Sequence, residues 1–284
     1  MPQGSDGLGS RLSLLGSSRG GESWRDDSGY FIPIWTILGS VSLLLGYMEN
    51  SDFVIAADGR AGGNPESEYA LKTIRVTPTT VLGCTGETKF MRPVLSALGF
   101  VGAERSEDIN LFWDIELSGQ PLKVSYEQAW GRVNRIISAN ADKYAAEDEK
   151  GLAAVLIGRK GPSCLRVSVW SRDTNWRPPG PEISNCPSGG RMFLGYLPPA
   201  ADKDEVWKVV SDRHVGLSLE DRLAKAIRWC SSLQDGPERK INGNVFTRRM
   251  SEGFALRQFL DPAVEHNWKG PDSRGQVGTR RSAL

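Results

Sequence analysis

The side chains of this sequence that could do chemistry together follow a short apolar run. Phe53-Val54-Ile55-Ala56-Ala57 ends abruptly on Asp58-Gly59-Arg60, and Lys72 follows fourteen positions after Asp58. A buried strand that ends on charged residues delivers them to the rim of the core, where a fixed backbone and access for substrate coincide. Lys72 begins another apolar run and is expected to return beside the same rim. Asp58, Arg60 and Lys72 therefore form a candidate site; the alternative interpretation is a salt bridge that fixes strand ends.

The element that must position Asp58 is predicted to be a β-hairpin. Residues 41–47 are leucine-rich, and residues 48–52 separate them from the apolar run that ends at residue 57. This pattern predicts two strands with a five-residue connection. Residues 30–48 contain no charged side chain and approach the ~20 residues that a membrane helix requires. A membrane anchor is therefore the less favoured alternative to a strand with an extended lead-in.

Composition and charge restrict the class of protein. The 284 residues are 39% hydrophobic and 24% charged, which is ordinary for a soluble globular protein. The net charge of +1 gives no electrostatic case for binding nucleic acid or an anionic membrane. Four cysteines lie far apart without metal-like spacing, and there are two histidines. We therefore expect no metal, and a reducing, cytoplasmic compartment fits best.

Apolar periodicity along the rest of the chain predicts a mixture of strands and helices. The predicted strands are at residues 72–76, 81–86, 152–158, 165–170 and 244–250, with residues 191–197 left open between a strand and a helix start. One helix is predicted to follow residue 86, with Pro93 in its first turn or at a kink. A second spans residues 125–146, where Ser125 and Gln128 resemble a capping box, and Ser218-Leu219-Glu220-Asp221 opens a third. Residues 176–190 are predicted to be a loop. Runs of strands alternate with runs of helices, which favours an α+β fold with helices covering sheets.

The ends of the chain differ from its middle. Residues 1–38 are rich in Gly, Ser and Arg and lack apolar periodicity through most of their length, which predicts a disordered leader or a pro-segment. Residues 39–253 are predicted to form one folded domain. Residues 254–284 turn polar, which predicts a loose tail.

Several phrases resemble the proteasome β-subunit family of N-terminal-nucleophile hydrolases. They are Gly39-Ser40-Val41-Ser42-Leu43, Val54-Ile55-Ala56-Ala57-Asp58-Gly59-Arg60, Lys72 with its alternating strand, Gly83-Cys84-Thr85-Gly86-Glu87, Ala154-Val155-Leu156-Ile157-Gly158 and Gly243-Asn244-Val245. The resemblance covers residues 39–253. It implies a four-layer αββα sandwich, in which two antiparallel sheets stack face to face with helices outside. It also implies a nucleophile that becomes the first residue of the mature chain after self-cleavage, and no metal or organic cofactor.

The resemblance also implies a role for each site residue. Ser40, at the junction with the preceding glycine, would be the nucleophile, activated by its own α-amine. Asp58 would hold Lys72, and Lys72 would lower the barrier to deprotonating the hydroxyl. Arg60 would add positive potential and orient the pair. The backbone N–H at or beside Gly86 would face the developing oxyanion.

The spacing before Asp58 leaves two serines open as the nucleophile. Ser40 is about two residues farther from Asp58 than the family's spacing, so an insertion would have to lie in the turn at residues 48–52. Without that insertion, Ser42 fits the register, although no glycine precedes it. The later Asp and Ser that assist the amine in the family have only unspecific matches here, Asp212 and Ser188.

The leading functional hypothesis is therefore a hydrolase of peptide bonds, or of a smaller amide. It would act on a peptide or protein substrate and assemble with like subunits as a homo-oligomer or a ring. The second hypothesis is an inactive subunit of the same fold that keeps the charged trio as structure. The third is a membrane-anchored module held by residues 30–48. Nucleic acid is not an expected partner.

Overall fold

The computed structural model describes residues 42–61, 68–86, 88–100, 111–118, 121–146, 152–161, 164–180, 182–185, 188–213, 216–234, 239–250 and 254–261. The strands are β1 Leu43–Glu49, β2 Asp52–Asp58, β3 Thr73–Thr77, β4 Thr80–Thr85, β5 Ala153–Gly161, β6 Cys164–Trp170, β7 Glu182–Asn185, β8 Arg191–Gly195, β9 Val245–Met250 and β10 Phe254–Phe259. The helices are α1 Arg92–Leu98, α2 Leu111–Ser118, α3 Tyr126–Ala139, α4 Ala141–Ala146, α5 Lys203–Ser211 and α6 Leu219–Ser232, and a 3₁₀ turn, Thr88–Met91, precedes α1.

The strands form two five-stranded antiparallel sheets. Sheet I has the order β10-β9-β2-β1-β8, and sheet II has the order β3-β4-β5-β6-β7. Every strand pair in both sheets is antiparallel. The chain is therefore a mixed α+β protein, as its sequence predicts.

Three apolar clusters define how the sheets and helices pack. One cluster lies between the sheets and joins residues such as Leu44 and Ile55 of sheet I to Val155 of sheet II. A second cluster packs the other face of sheet I against α5 and α6. A third packs the other face of sheet II against α1, α2, α3 and α4. Each sheet thus has one face toward its partner and one toward helices, which is consistent with a sandwich.

The first hairpin is tighter than the sequence predicts. Its connection is Asn50-Ser51, because Met48, Glu49 and Asp52 all belong to the strands. Pairing runs without interruption from Leu44↔Ala57 to Glu49↔Asp52. Asn50 has a φ of 55°, the left-handed conformation that two-residue hairpin turns need. The predicted five-residue connection is therefore wrong, and the turn has no space for an insertion.

The helix starts predicted from capping residues are confirmed. Ser125 and Gln128 form a capping box at the start of α3, and Ser218 and Asp221 form another at α6. Proline lies in the first turn of α1, also as predicted. The helix predicted over residues 125–146 is interrupted at Asn140, which ends α3 just before α4.

Three elements differ from the sequence prediction. Strand β7 lies within the segment predicted to be a loop and pairs with the edge of β6. Strand β10 pairs with β9, so sheet I continues past the predicted domain boundary at residue 253. Helix α5 has no counterpart in the prediction. These elements are short, and their stability comes from tertiary pairing rather than from a strong local pattern.

The near-membrane-length segment at residues 30–48 continues into a strand. From Leu43 onward it is β1, which is buried in sheet I, while residues 30–41 lie outside the described part of the chain. No helix within the described residues is long and apolar enough to cross a membrane. Residues 1–38 also lie outside the described residues.

Gly158 tests the packing of sheet II against α3. A Cβ at this position would lie 2.1 Å from the ring of Tyr126, which packs over the strand. We expect Gly158→Ala to lower the free energy of unfolding by about 1–3 kcal/mol through overpacking. Gly131, within α3, is the matched control, since a Cβ there meets nothing within 4 Å. Gly131→Ala should stabilise by about 0.5–1 kcal/mol. Urea unfolding of both variants checks this, and equal effects would contradict it.

Candidate functional site

The candidate site is built around the Asp58 carboxylate at the end of β2. Asp58 is fully buried. Its Oδ1 accepts hydrogen bonds from Lys72 Nζ at 2.7 Å and from the Leu43 backbone N–H at 2.8 Å. Its Oδ2 accepts one from the Arg60 backbone N–H at 3.0 Å. Three donors, one of them charged, thus hold a single carboxylate in one orientation.

Lys72 approaches Asp58 from the other sheet. It is 3% exposed and immediately precedes β3, the edge strand of sheet II. Asp58 ends β2, at the centre of sheet I. The ion pair therefore joins the two sheets where both strands reach the same rim. The expectation that Lys72 returns to the rim beside Asp58 is confirmed.

Burial changes the proton affinity of both partners. Loss of water raises the pKa of the Asp58 carboxyl above its ordinary value, and the charge and hydrogen bond of Lys72 oppose that rise. Burial lowers the pKa of the Lys72 ammonium, and the Arg60 charge adds to that decrease while Asp58 opposes it. Lys72 can consequently lose its proton more readily than a surface lysine, which suits a group that accepts a proton from a hydroxyl.

Arg60 contributes to the site through its backbone and through a side-chain ion pair. Its guanidinium NH1 lies 2.7 Å from Glu68 Oε1. Its backbone N–H donates to Asp58, as described above. Arg60 thus links the Asp58 carboxylate to Glu68, within the segment between β2 and β3.

Two asparagines to which the sequence analysis gave no site role hold this segment in place. Asn242 Oδ1 accepts the Gly59 backbone N–H at 3.0 Å, and its Nδ2 donates to the Glu68 carbonyl at 2.8 Å. Asn244 Nδ2 also donates to the Glu68 carbonyl, at 3.0 Å. A Cβ at Gly59 would lie 2.6 Å from that carbonyl, so only glycine allows the approach. The one available signal was the Asn-Gly-Asn phrase before the last predicted strand.

The hairpin register brings Ser42 close to Asp58. Leu43 donates its N–H to Asp58, so Ser42 is the next residue outward from the carboxylate. Ser42 is 1% exposed, and its carbonyl accepts the Tyr196 N–H at 2.8 Å. Ser40, the residue predicted as the nucleophile, lies outside the described residues. The insertion that its spacing required is absent from the turn at Asn50-Ser51.

Gly86 lies just beyond β4, at the end of that strand next to Lys72. Cys84, two residues earlier, donates its N–H to the Lys72 carbonyl at 2.9 Å. Gly86 has a φ of 80°, a conformation that favours glycine. It is therefore on the same rim as the ion pair, as the sequence analysis expects.

Ser188 and Asp212 are not part of this site. Ser188 Oγ accepts the N–H of Asn50, in the turn at the far end of β1. Asp212 directly follows α5, and the next residue, Arg213, lies 3.3 Å from Glu49 at that same end. At about 3.3 Å per residue, the length of β1 separates this end from Asp58 by about 20 Å. Ser188 and Asp212 therefore lie too far from Asp58 to be the assisting residues of the family.

No group of His, Cys, Asp and Glu within the described residues is arranged to hold a metal ion. Cys84, Cys164 and Cys230 are all free thiols. Burial raises the pKa of the Cys84 thiol to about 12, although the neighbouring Lys72 charge opposes this. Burial likewise raises the pKa of Cys230 to about 12.

The buried ion pair predicts strong thermodynamic coupling between its partners. Lys72→Met should destabilise the protein by about 3–5 kcal/mol, because it leaves the Asp58 charge buried without its cation. The double variant Asp58→Asn/Lys72→Met should lose much less than the sum of the two single changes. The free energies of unfolding of the four proteins measure this coupling. The exposed pair Arg177–Asp142, 3.9 Å apart, is the control and should show none; additive effects at Asp58 and Lys72 would contradict the prediction.

Thiol alkylation should follow burial. At about pH 8 in the native state, Cys164, which is half-buried, should react with iodoacetamide, while Cys84 and Cys230 should not, since they are enclosed and their thiolates are scarce. Peptide mass spectrometry after labelling identifies the modified residues. All three should react in denaturant. Native labelling of Cys84 as fast as Cys164 would contradict the enclosed environment beside Lys72.

Comparison with known proteins identifies no family for this chain. No family model matches it, and no curated protein matches it. The chemistry of the site is therefore inferred from its own residues: a buried carboxylate, a lysine with a lowered pKa and a serine that directly precedes a strand.

Proposed function

We propose that this chain is a proteasome-β-like N-terminal-nucleophile hydrolase of peptide bonds, with Ser42 as its nucleophile. Two stacked antiparallel sheets with helices on both outer faces support the four-layer αββα sandwich of that class. The observation that carries the proposal is the Asp58 carboxylate, which binds both Lys72 Nζ and the N–H that follows Ser42. One buried carboxylate thus connects the strand that directly follows Ser42 to the lysine that would activate the serine.

Self-processing would create the active residue. The Ser42 hydroxyl attacks the carbonyl carbon of Val41, and the peptide bond to the Ser42 nitrogen breaks as an ester to Oγ forms. Water then hydrolyses this ester, which releases residues 1–41 and leaves Ser42 with a free α-amine and a free hydroxyl. Ser42 takes this role in the proposal because a two-residue turn joins β1 to β2, which favours the shorter spacing to Asp58.

Substrate cleavage would use the same groups. Neutral Lys72, or the α-amine, takes the hydroxyl proton while Oγ attacks the substrate carbonyl, and the proton then passes to the leaving amine. Asp58 keeps Lys72 in place, and Arg60 adds positive potential. A backbone N–H at or beside Gly86 donates to the oxyanion, where one such donor contributes roughly 2.7–4 kcal/mol. Water finally hydrolyses the acyl-serine ester. The chemistry needs no cofactor, and like subunits are the expected partners.

An inactive subunit of the same class is the second candidate, favoured by the residue before Ser42. Val41 is β-branched, and such residues resist the unusual backbone conformations that a strained scissile bond adopts. Ser42 is also enclosed, and its carbonyl is bound to the Tyr196 N–H. In this case Asp58 and Lys72 serve only to join the sheets, and the protein acts through assembly with like subunits.

Intact-mass analysis separates the two candidates. An enzyme should lose residues 1–41, and Ser42→Ala should abolish that loss because no hydroxyl remains to attack. Ser40→Ala is the matched control and should process normally. The mature protein should also gain one acyl group at Ser42 from a peptide β-lactone, whose strained ring opens on an activated hydroxyl.

A full-length wild-type chain that does not react with the β-lactone would support the inactive subunit instead. Loss of residues 1–39 that is sensitive to Ser40→Ala alone would return the nucleophile to Ser40.

A further inference from the structure

Arg248 is a buried cation that bridges the two sheets. It lies on β9 opposite Ile55 of β2, and it is 1% exposed. Its Nε donates to Thr73 Oγ1 at 3.3 Å, and its NH2 donates to the Thr73 carbonyl at 2.9 Å. Thr73 is the first residue of β3, on the other sheet.

The same guanidinium also binds Glu116 of α2 through two parallel hydrogen bonds. Arg248 NH1 lies 3.0 Å from Glu116 Oε1, and NH2 lies 3.0 Å from Oε2. This forked geometry is the strongest form of an arginine–carboxylate contact. Burying the charge is costly, and an apolar replacement of such a pair is often neutral or stabilising. Stability alone therefore does not explain an ion pair at this position.

The position of Thr73 suggests what the pair does. Thr73 directly follows Lys72, so the backbone that Arg248 holds is the backbone from which the Lys72 side chain projects. Arg248 belongs to β9, the strand that pairs with β2, and β2 ends at Asp58. Arg248 thus connects the strand neighbouring Asp58 to the residue neighbouring Lys72.

We propose that Arg248 and Glu116 are positioning residues, which fix β3 so that Lys72 Nζ stays in hydrogen-bond contact with Asp58 beside Ser42. This inference rests on the proposed hydrolase function, because its consequence is the activation of a hydroxyl. The two residues act through Thr73. Among the described residues, the charged and titratable groups that act on Lys72 are Asp58, Arg60 and Cys84.

The adjacent residue on the same strand provides the control. Arg249 also makes a forked contact, to Glu220 of α6, with both N···O distances at 2.6 Å. It also lies 2.5 Å from Asp52, at the hairpin end of β2 away from Asp58. Because neighbouring residues of a strand point to opposite faces, Arg249 faces α6 rather than Lys72. Arg248→Lys and Arg249→Lys therefore break similar contacts with different neighbours.

The experiment has two readouts on the full chain. The first is the titration of Lys72 Nζ, followed by ¹³C NMR of protein labelled at the lysine Cε and assigned with Lys72→Arg. The second is the rate of Ser42 acylation by a peptide β-lactone as a function of pH. Glu116→Gln accompanies Arg248→Lys, since it keeps hydrogen-bonding capacity and decides the test if Arg248→Lys does not fold.

We expect Arg248→Lys and Glu116→Gln to move the Lys72 pKa upward, toward the ordinary 10.5, because a displaced lysine regains water. Acylation should slow by up to roughly 100-fold, the effect of a misplacement of about 1 Å. Its pH dependence should move upward with Lys72, and Arg249→Lys should leave both readouts unchanged. An unaltered Lys72 titration in Arg248→Lys, or in Glu116→Gln if that variant alone folds, would overturn the proposal. Equal changes in Arg249→Lys would also overturn it.

The two readouts also separate this inference from the proposed function. If the wild-type protein is not acylated at Ser42 but its Lys72 titration responds to Arg248→Lys, the hydrolase function fails and the positioning role stands. If acylation occurs and the titration does not respond, the positioning role fails alone.

Discussion

The ion pair between Asp58 and Lys72 is the contact on which the site depends. Each partner belongs to a different sheet, and neither reaches water. A buried charge without its partner costs far more free energy than an exposed charge. The two sheets therefore pack stably only when β2 and β3 are placed so that Asp58 meets Lys72. The same enclosure lowers the pKa of Lys72. Burial of this ion pair thus determines both how the sheets pack at the rim and how readily the Lys72 amine loses its proton.

The supports of this pair come from distant parts of the chain. Asn242 and Asn244 bind the segment after Asp58, and Arg248 binds the residue after Lys72. All three lie on β9 or just before it, so a single late strand fixes both partners. Successive side chains of a strand point to opposite faces, so Arg248 points between the sheets while its neighbours on β9 point toward α6.

The first hairpin places Ser42 beside the Asp58 carboxylate. A register slip of one residue would turn each side chain to the opposite face, and the apolar faces of β1 and β2 are both buried, so slippage is strongly opposed. The two-residue turn at Asn50-Ser51 then fixes the distance along the chain from Asp58 to its partner strand. Ser42 follows from this count. Val41 precedes Ser42, whereas Gly39 precedes Ser40. This difference bears directly on whether the chain is catalytic.

The sequence by itself determined the elements with strong local signals and the charged trio. Capping boxes predicted the starts of α3 and α6, and the end of an apolar run marked Asp58. Only the tertiary structure decided the short edge strands β7 and β10, the contacts of Asn242 and Arg248, and the distance of Ser188 and Asp212 from Asp58. The physical reason is that these features arise from pairings between residues far apart in the chain. Local propensity and spacing predict where a strand ends, but the partner that meets it depends on how the sheets pack.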